Sequence, residues 1–323
     1  MLRFLISRVF GAVLALLLLT LVTFIMVRLV PGSIEDVVFG LDGSSDAARQ
    51  ALRERYNLDQ PLAVQYVTWL GNLLQGDWGD SIRGPAARTV GAGRVGVRGA
   101  LMEKIQPTLE LALLSMLLSL VVAILLGTLA ALKRGTWIDQ SSTTLALIGT
   151  STPDFVLGLL LILGIARSSS FFPIFGYAPL SEGFVEWLRH LILPTLALSF
   201  ALMGLLTRLT RRAVSDTLQH DWVRTARGKG LPRHVIWWHH IIRPSLIPVV
   251  TTAGLQFVAV LGGIVVIETV FSIPGLGRLI LDAIRNRDYA LIQGAVLLIG
   301  MVAITVSLLV DFSYRLLDPR VRT

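Results

Sequence analysis

The sequence predicts an all-α polytopic membrane protein with six transmembrane helices. Three observations carry this. Of the 323 residues, 54% are hydrophobic and only 15% are charged, against about 25% charged in an ordinary soluble domain. The apolar residues are blocked into runs close to the roughly 20 residues that a helix needs to cross a bilayer, and mean hydropathy is +0.70. Basic residues gather at the ends of these runs, as expected where Lys and Arg are retained in the cytoplasm. The net charge of +8 would also suit a nucleic-acid binder. No base-reading motif is visible, however, and in a membrane protein such an excess faces anionic lipid. Cysteine is absent, which excludes a disulfide framework, Cys-ligated zinc and a thiol nucleophile.

Residues 9–27 are uncharged and form the first span. Arg3 and Arg8 precede it and place the N-terminus in the cytoplasm, and Pro31-Gly32 ends it. The run is too long for a signal-peptide core and lacks a small-x-small cleavage site, so it reads as a retained helix. Residues 31–106 form a long external insert. Within it, 46–56 has helix-forming composition and 57–61 is a turn. Leu62, Gln65, Tyr66, Trp69, Leu70 and Leu73 recur at helical spacing. Residues 76–81 break that helix, and the Gly/Arg-rich 84–99 reads as a mobile connection. The insert is either a solvated loop or a cap that contacts a partner, and the apolar stripe favours a cap.

Pro107 suits the first turn of the second span, residues 111–132. Lys133 and Arg134 put the following loop in the cytoplasm. The third span is 141–166, with Pro153-Asp154 inside it. Residues 167–190 form a second external loop, and the fourth span is 191–207, with Pro194 near its start. A basic stretch, 208–251, overlaps the first turn of the fifth span, 246–267. A third external loop covers 272–288, the sixth span is 290–310, and a basic tail follows. Both termini are then cytoplasmic. The arginines at 278, 285 and 287 oppose this orientation, but moving their loop inside would strand 208–251 outside. Three regions result: the N-terminal helix (1–30), the insert (31–106) and a core (107–323) that includes a cytoplasmic loop at 208–247.

Residues 208–251 hold eight basic residues, two acids and four of the five histidines. Topology alone explains the charge, but it does not explain the organisation. Asp221 is placed to cap a short helix. Trp222, Val223 and Ala226 form an apolar side flanked by Arg224, Arg227 and Lys229. Gly230 fits the left-handed position past a helix end, and Pro232 can open a second helix. Such a helix suits a groove on another protein, and Gly228 and Gly230 allow close backbone approach. Enzymatic signatures are missing. Gly228-Lys229-Gly230 lacks the upstream glycine and hydroxyl residue of a phosphate-binding loop, and neither H-E-x-x-H nor G-x-S-x-G occurs. The adjacent His239 and His240 do not share a helix face with which to hold a metal. No catalytic residue, metal or cofactor is expected.

The run Asp221-Trp222-Val223-Arg224-Thr225-Ala226-Arg227-Gly228-Lys229-Gly230-Leu231, then Arg243-Pro244-Ser245-Leu246-Ile247-Pro248, closely resembles the cytoplasmic signature of dipeptide/oligopeptide ABC importer permeases. Trp222 stands where the family commonly has Tyr, Gly228 where it has Ala, and Pro244 where it has Asn. Similar family hallmarks are Leu29-Val30-Pro31-Gly32, Leu58-Asp59-Gln60-Pro61-Leu62, Leu74-Gln75-Gly76-Asp77-Trp78-Gly79, Pro107-Thr108-Leu109-Glu110-Leu111, and Glu268-Thr269-Val270-Phe271 with Pro274-Gly275-Leu276-Gly277. The resemblance spans nearly the whole chain and is strongest to the first permease of the pair. It implies a type I importer fold in which residues 221–230 hold the coupling helix. It also implies partners: a second homologous permease, two ABC ATPase domains, an extracytoplasmic substrate-binding protein and a peptide substrate. Relatives in the family also carry nickel chelates, glutathione or sugars.

Ionisable groups within spans are functional candidates. Asp154, about 20 Å into a continuous third span at 1.5 Å per residue, would line the translocation path. Glu110 and Glu268, near outer helix ends, are weaker candidates, because helix-end hydrogen bonding explains them as well. A secondary transporter would instead show inverted repeats and paired intramembrane charges, which are not evident. An intramembrane enzyme would need a second carboxylate near Asp154.

Overall fold

The computed structural model describes residues 2–29, 50, 59–81, 96–166 and 171–317. Among these the regular structure is helical, with one isolated antiparallel bridge between Asp80 and Gly96. The helices are α1 (Leu2–Leu29), α2 (Leu62–Leu74), α3 (Val97–Leu132), α4 (Trp137–Ser151) and α5 (Asp154–Leu161). They continue with α6 (Phe184–Leu218), α7 (Asp221–Gly228), α8 (Arg233–Gly263), α9 (Val265–Val270), α10 (Leu276–Arg285) and α11 (Tyr289–Leu317). Helices α1, α3, α6, α8 and α11 are long and apolar enough to cross a membrane, and α4 with α5 qualifies as a sixth, broken span.

Four sequence expectations are corrected. The second span begins at Val97, so Pro107 lies inside α3 rather than in its first turn. Polar Glu103, Lys104 and Gln106 hide this extension from hydropathy, although a helix can run on beyond the bilayer. The third span is not continuous, because α4 and α5 meet at 100°. Thr152 is extended at φ −92°, ψ 121°, the conformation that a following proline imposes. Asp154 therefore opens a new helix, and a depth counted along a straight one does not apply. The basic stretch is mostly helical rather than a loop. Helix α6 carries it to Leu218, and α8 starts at Arg233 with a π-helical segment, Ile236–Ile242. The third loop contains α10, with Leu276 and Ala283 buried. Residues 46–56 (except Gln50), Asn57, Leu58 and most of 84–99 lie outside the described residues.

The chain divides into two compact units. In the first, built on 107–277 with 305–323, α6 is the central element and packs against α4, α5 and α8. Glycines let these backbones meet, as in membrane helix packing generally. A Cβ on Gly127 would lie 2.7 Å from Thr210 Cβ and 2.8 Å from Thr207 O, and one on Gly149 would lie 2.6 Å from Phe200 O. A Cβ on Gly204 would run into Ala146 O. In the second unit, built on 2–106 with 278–304, α2 stands against α1. Tyr66 hydroxyl lies 2.9 Å from Thr20 Oγ1, and Phe24 packs on the rings of Tyr66 and Trp69. The predicted α2 stripe is mostly covered, but its first member, Leu62, is exposed. Asp288 is buried, accepts Ser81 Oγ at 2.5 Å and caps α11 through Leu291 N at 3.2 Å.

Gly127→Leu should cost about 1–3 kcal/mol, the usual range for overpacking, and lower the thermal midpoint in detergent. Gly11→Ala, on a helical backbone and meeting nothing within 4 Å, should not lower that midpoint.

Candidate functional site

The candidate site is α7 with the helix segments that hold it. The turn at Gln219-His220 reverses the chain after α6. His220, not Asp221, occupies the cap position, and no side chain caps the helix. Asp221 instead opens the first turn, where its charge suits the positive helix end, 3.9 Å from Arg224. Both partners are exposed, so that pair contributes little. At the other end Gly230 has φ +69°, the left-handed conformation expected of it. Gly230 N donates to Arg227 O at 3.0 Å and Leu231 N to Ala226 O at 3.3 Å, which closes the helix with a Schellman motif.

The predicted apolar side is divided. Val223 and Ala226 are buried in a cluster with Ala131 at the end of α3, Val214 of α6, and Ile236 and Ile241 of α8. Leu218 and Trp237 cover its edges. Trp222 points elsewhere: 40% exposed, it stacks on His220 at 3.9 Å between ring centroids and donates from Nε1 to His240 O at 3.3 Å. The inward side of α7 is thus used by its own chain. Asp221, Trp222, Arg224, Thr225, Arg227, Gly228, Lys229 and Gly230 remain exposed. His220 and His240 position Trp222, while His234 and His239 play no part in the contacts described here.

Sequence reasoning missed two polar ties between α6 and its neighbours. Ser245, buried in α8 just after its π-helical segment, has its Oγ 2.9 Å from Thr217 Oγ1 and 2.7 Å from Ile241 O, tying α8 to α6. Buried Asp139 takes Arg211 in a two-pronged pair at 2.5 and 2.8 Å and accepts Gly135 N at 3.0 Å. The sequence signal for the second was an Asp in the first turn after a Gly-containing loop, but nothing in spacing names its partner on α6.

Asp154, Glu110 and Glu268 do not form one site. Glu268 is fully buried and accepts Thr108 Oγ1 at 2.5 Å, while Thr108 Oγ1 accepts Leu276 N at 2.7 Å. Gly275 is required here, since a Cβ on it would overlap the Glu268 carboxylate. Glu110, two residues from Thr108, accepts Tyr177 hydroxyl at 2.8 Å and Trp187 Nε1 at 2.6 Å. Burial, and then the bond to Glu110, push the Tyr177 pKa up, which keeps the phenol a donor. These contacts make a polar seam at Thr108 and Glu110. Asp154 is not hydrogen-bonded into it. Half-buried in the first turn of α5, it accepts Phe155 N at 2.7 Å.

Gly230→Ala should cost about 1–2 kcal/mol, the penalty of a left-handed alanine. Gly228→Ala, on a helical backbone with nothing within 4 Å of its Cβ, should gain about 0.5–1 kcal/mol. Thermal unfolding of the two variants checks the opposite signs.

Residues 123–323 match the family described as binding-protein-dependent transport system inner membrane component. Residues 1–112 match its companion, the binding-protein-dependent transport system membrane component, N-terminal. A probable peptide ABC transporter permease protein of Sinorhizobium fredii is 35% identical over 319 residues, covering 99% of each chain. The glutathione transport system permease protein of Escherichia coli is 35% identical over 322 residues, covering 100% of this chain and 99% of its own. Among solved structures, the MetNI methionine ABC transporter in inward-facing conformations aligns with a TM-score of 0.54 at 15% identity, over 68% of this chain and 96% of that one. That likeness concerns the fold alone. The chain belongs to the binding-protein-dependent transport system inner membrane component family, the multi-pass permeases of ABC importers.

Proposed function

We propose that this permease passes short peptides across the membrane, driven by ATPase subunits that bind the exposed side of α7. The observation that carries the proposal is the division of that helix. Val223 and Ala226 lock it to α3, α6 and α8, while Trp222, Arg224, Thr225, Arg227, Gly228 and Lys229 face outward. A groove of net negative charge on the ATPase is the matching surface. ATP binding would draw two ATPase domains together and carry α7 with them, and the buried cluster would pass the displacement to three helices at once. This permease would work with a second, related permease and an extracytoplasmic binding protein, with both termini in the cytoplasm and residues 31–106 receiving substrate outside. ATP hydrolysis then belongs to the partners.

The relatives named for peptide and for glutathione transport are equally similar to this chain, at 35% identity. Glutathione is itself a tripeptide, so both names support a short-peptide substrate. Affinity can reside in the binding protein, which leaves little need for tight sites within the spans. Asp154 is assigned to the translocation path, where its carboxylate would meet a peptide amino group. Glu110 and Glu268 are assigned to fastening α3 to its neighbours beside that path.

Charge reversal at Arg224→Glu with Arg227→Glu should reduce co-purification of the ATPase subunits about tenfold or more and leave the thermal midpoint of the permease unchanged. Full co-purification would contradict the proposal. Ala226→Glu, which buries a charge, should lower the midpoint itself.

A further inference from the structure

Beside the arginine-bearing end of α6 lies a cleft of about 300 Å³ that no residue of α7 lines. Its walls carry Arg134 from the turn after α3, Arg208, Arg211 and Arg212 of α6, and the hydroxyl residues Thr143 of α4 and Ser215 of α6. Residues 208, 211, 212 and 215 recur at helical spacing and so share one face. Retention of positive charge on one side of a membrane needs only scattered Lys and Arg. Convergence of four arginines on one concavity, from the turn after α3 and from α6, is a different arrangement.

The charges there are unequally compensated. Arg211 is neutralised by buried Asp139, and this pair fixes one wall. Asp216 is the acid of the lining and lies 3.9 Å from Arg212, with both side chains mostly exposed, so it compensates weakly. Arg134 and Arg208 form no ion pair among the described residues. Planar guanidinium donors beside hydroxyl donors are the chemistry that receives phosphate oxygens.

The level of the cleft indicates where that phosphate comes from. Residues 191–207 of α6 carry no charge, and Arg208 is the first charged residue after them, at the boundary between hydrocarbon and headgroups. One turn toward the apolar side, on the same helix faces, stand Leu147 (55% exposed) and Leu205 (39% exposed). The cleft is therefore basic at one end and continued by exposed apolar side chains at the other. We propose that it binds one anionic phospholipid, its phosphate on Arg134, Arg208 and Arg212 and its acyl chains along Leu147 and Leu205. Val214, between Arg212 and Ser215, is buried beneath α7, so this lipid would sit on the part of α6 that supports the coupling helix.

Native mass spectrometry of the assembled transporter tests this, with phosphatidylglycerol and phosphatidylcholine of identical acyl chains as probes. The wild type should retain phosphatidylglycerol in preference. Arg134→Gln with Arg208→Gln should weaken that retention about 25-fold, at about fivefold per arginine. Both side chains are exposed, so thermal unfolding should not change. Millimolar inorganic phosphate should not displace the lipid. Equal retention of the two lipids, or undiminished retention by the variant, would overturn the proposal. So would complete displacement by inorganic phosphate, which would mark a free-anion site. Weakened association between the permeases with lipid retention unchanged would likewise overturn it, the cleft then being a protein contact.

Discussion

Burial of Val223 and Ala226 against Ala131, Val214, Ile236 and Ile241 is the contact on which the placement of α7 depends. A buried valine stabilises by on the order of 2 kcal/mol, which is modest, but these atoms come from α3, α6 and α8 together. Helix α7 is too short to be stable alone. Its form is set by this cluster on one side and by the Schellman closure at Gly230 on the other. A force applied to its exposed side would reach three spans without an intervening flexible joint.

The same unit shows how the bilayer constrains the rest. Apolar side chains gain little by leaving lipid for one another, so association relies on close packing. Gly127, Gly149 and Gly204 supply it where α3 and α4 meet α6. Three carboxylates are paired: Asp139 with Arg211, Glu268 with Thr108, and Glu110 with Tyr177 and Trp187. An unpaired buried carboxylate would be costly, and these pairings give Glu110 and Glu268, both candidates for the translocation path, partners within the chain.

Hydropathy made the spans legible because transfer into lipid is a property of composition. It did not show where helices continue beyond the bilayer, as α3 does to Val97 and α6 to Leu218. Nor did it separate a proline that a helix absorbs, such as Pro107, from one that ends a helix, such as Pro153. That difference depends on whether neighbouring elements hold the backbone on course. Gly230 was readable because its position demands a left-handed residue. The facing of α7 was not. Val223 and Ala226 are three residues apart and share a side, while Trp222, though apolar, is turned away and held by His220 and His240. Composition cannot distinguish an apolar face buried at home from one offered to a partner.

The absence of cysteine permits a direct measurement of that facing. Single cysteines at 222, 223, 224, 226 and 227 can be labelled with a water-soluble maleimide, in the permease alone and after assembly with the ATPase subunits. Trp222→Cys, Arg224→Cys and Arg227→Cys should label readily in the permease and become protected on assembly, whereas Val223→Cys and Ala226→Cys should resist labelling throughout. Ready labelling of Val223→Cys and Ala226→Cys in the permease, lost on assembly, would contradict this facing of α7.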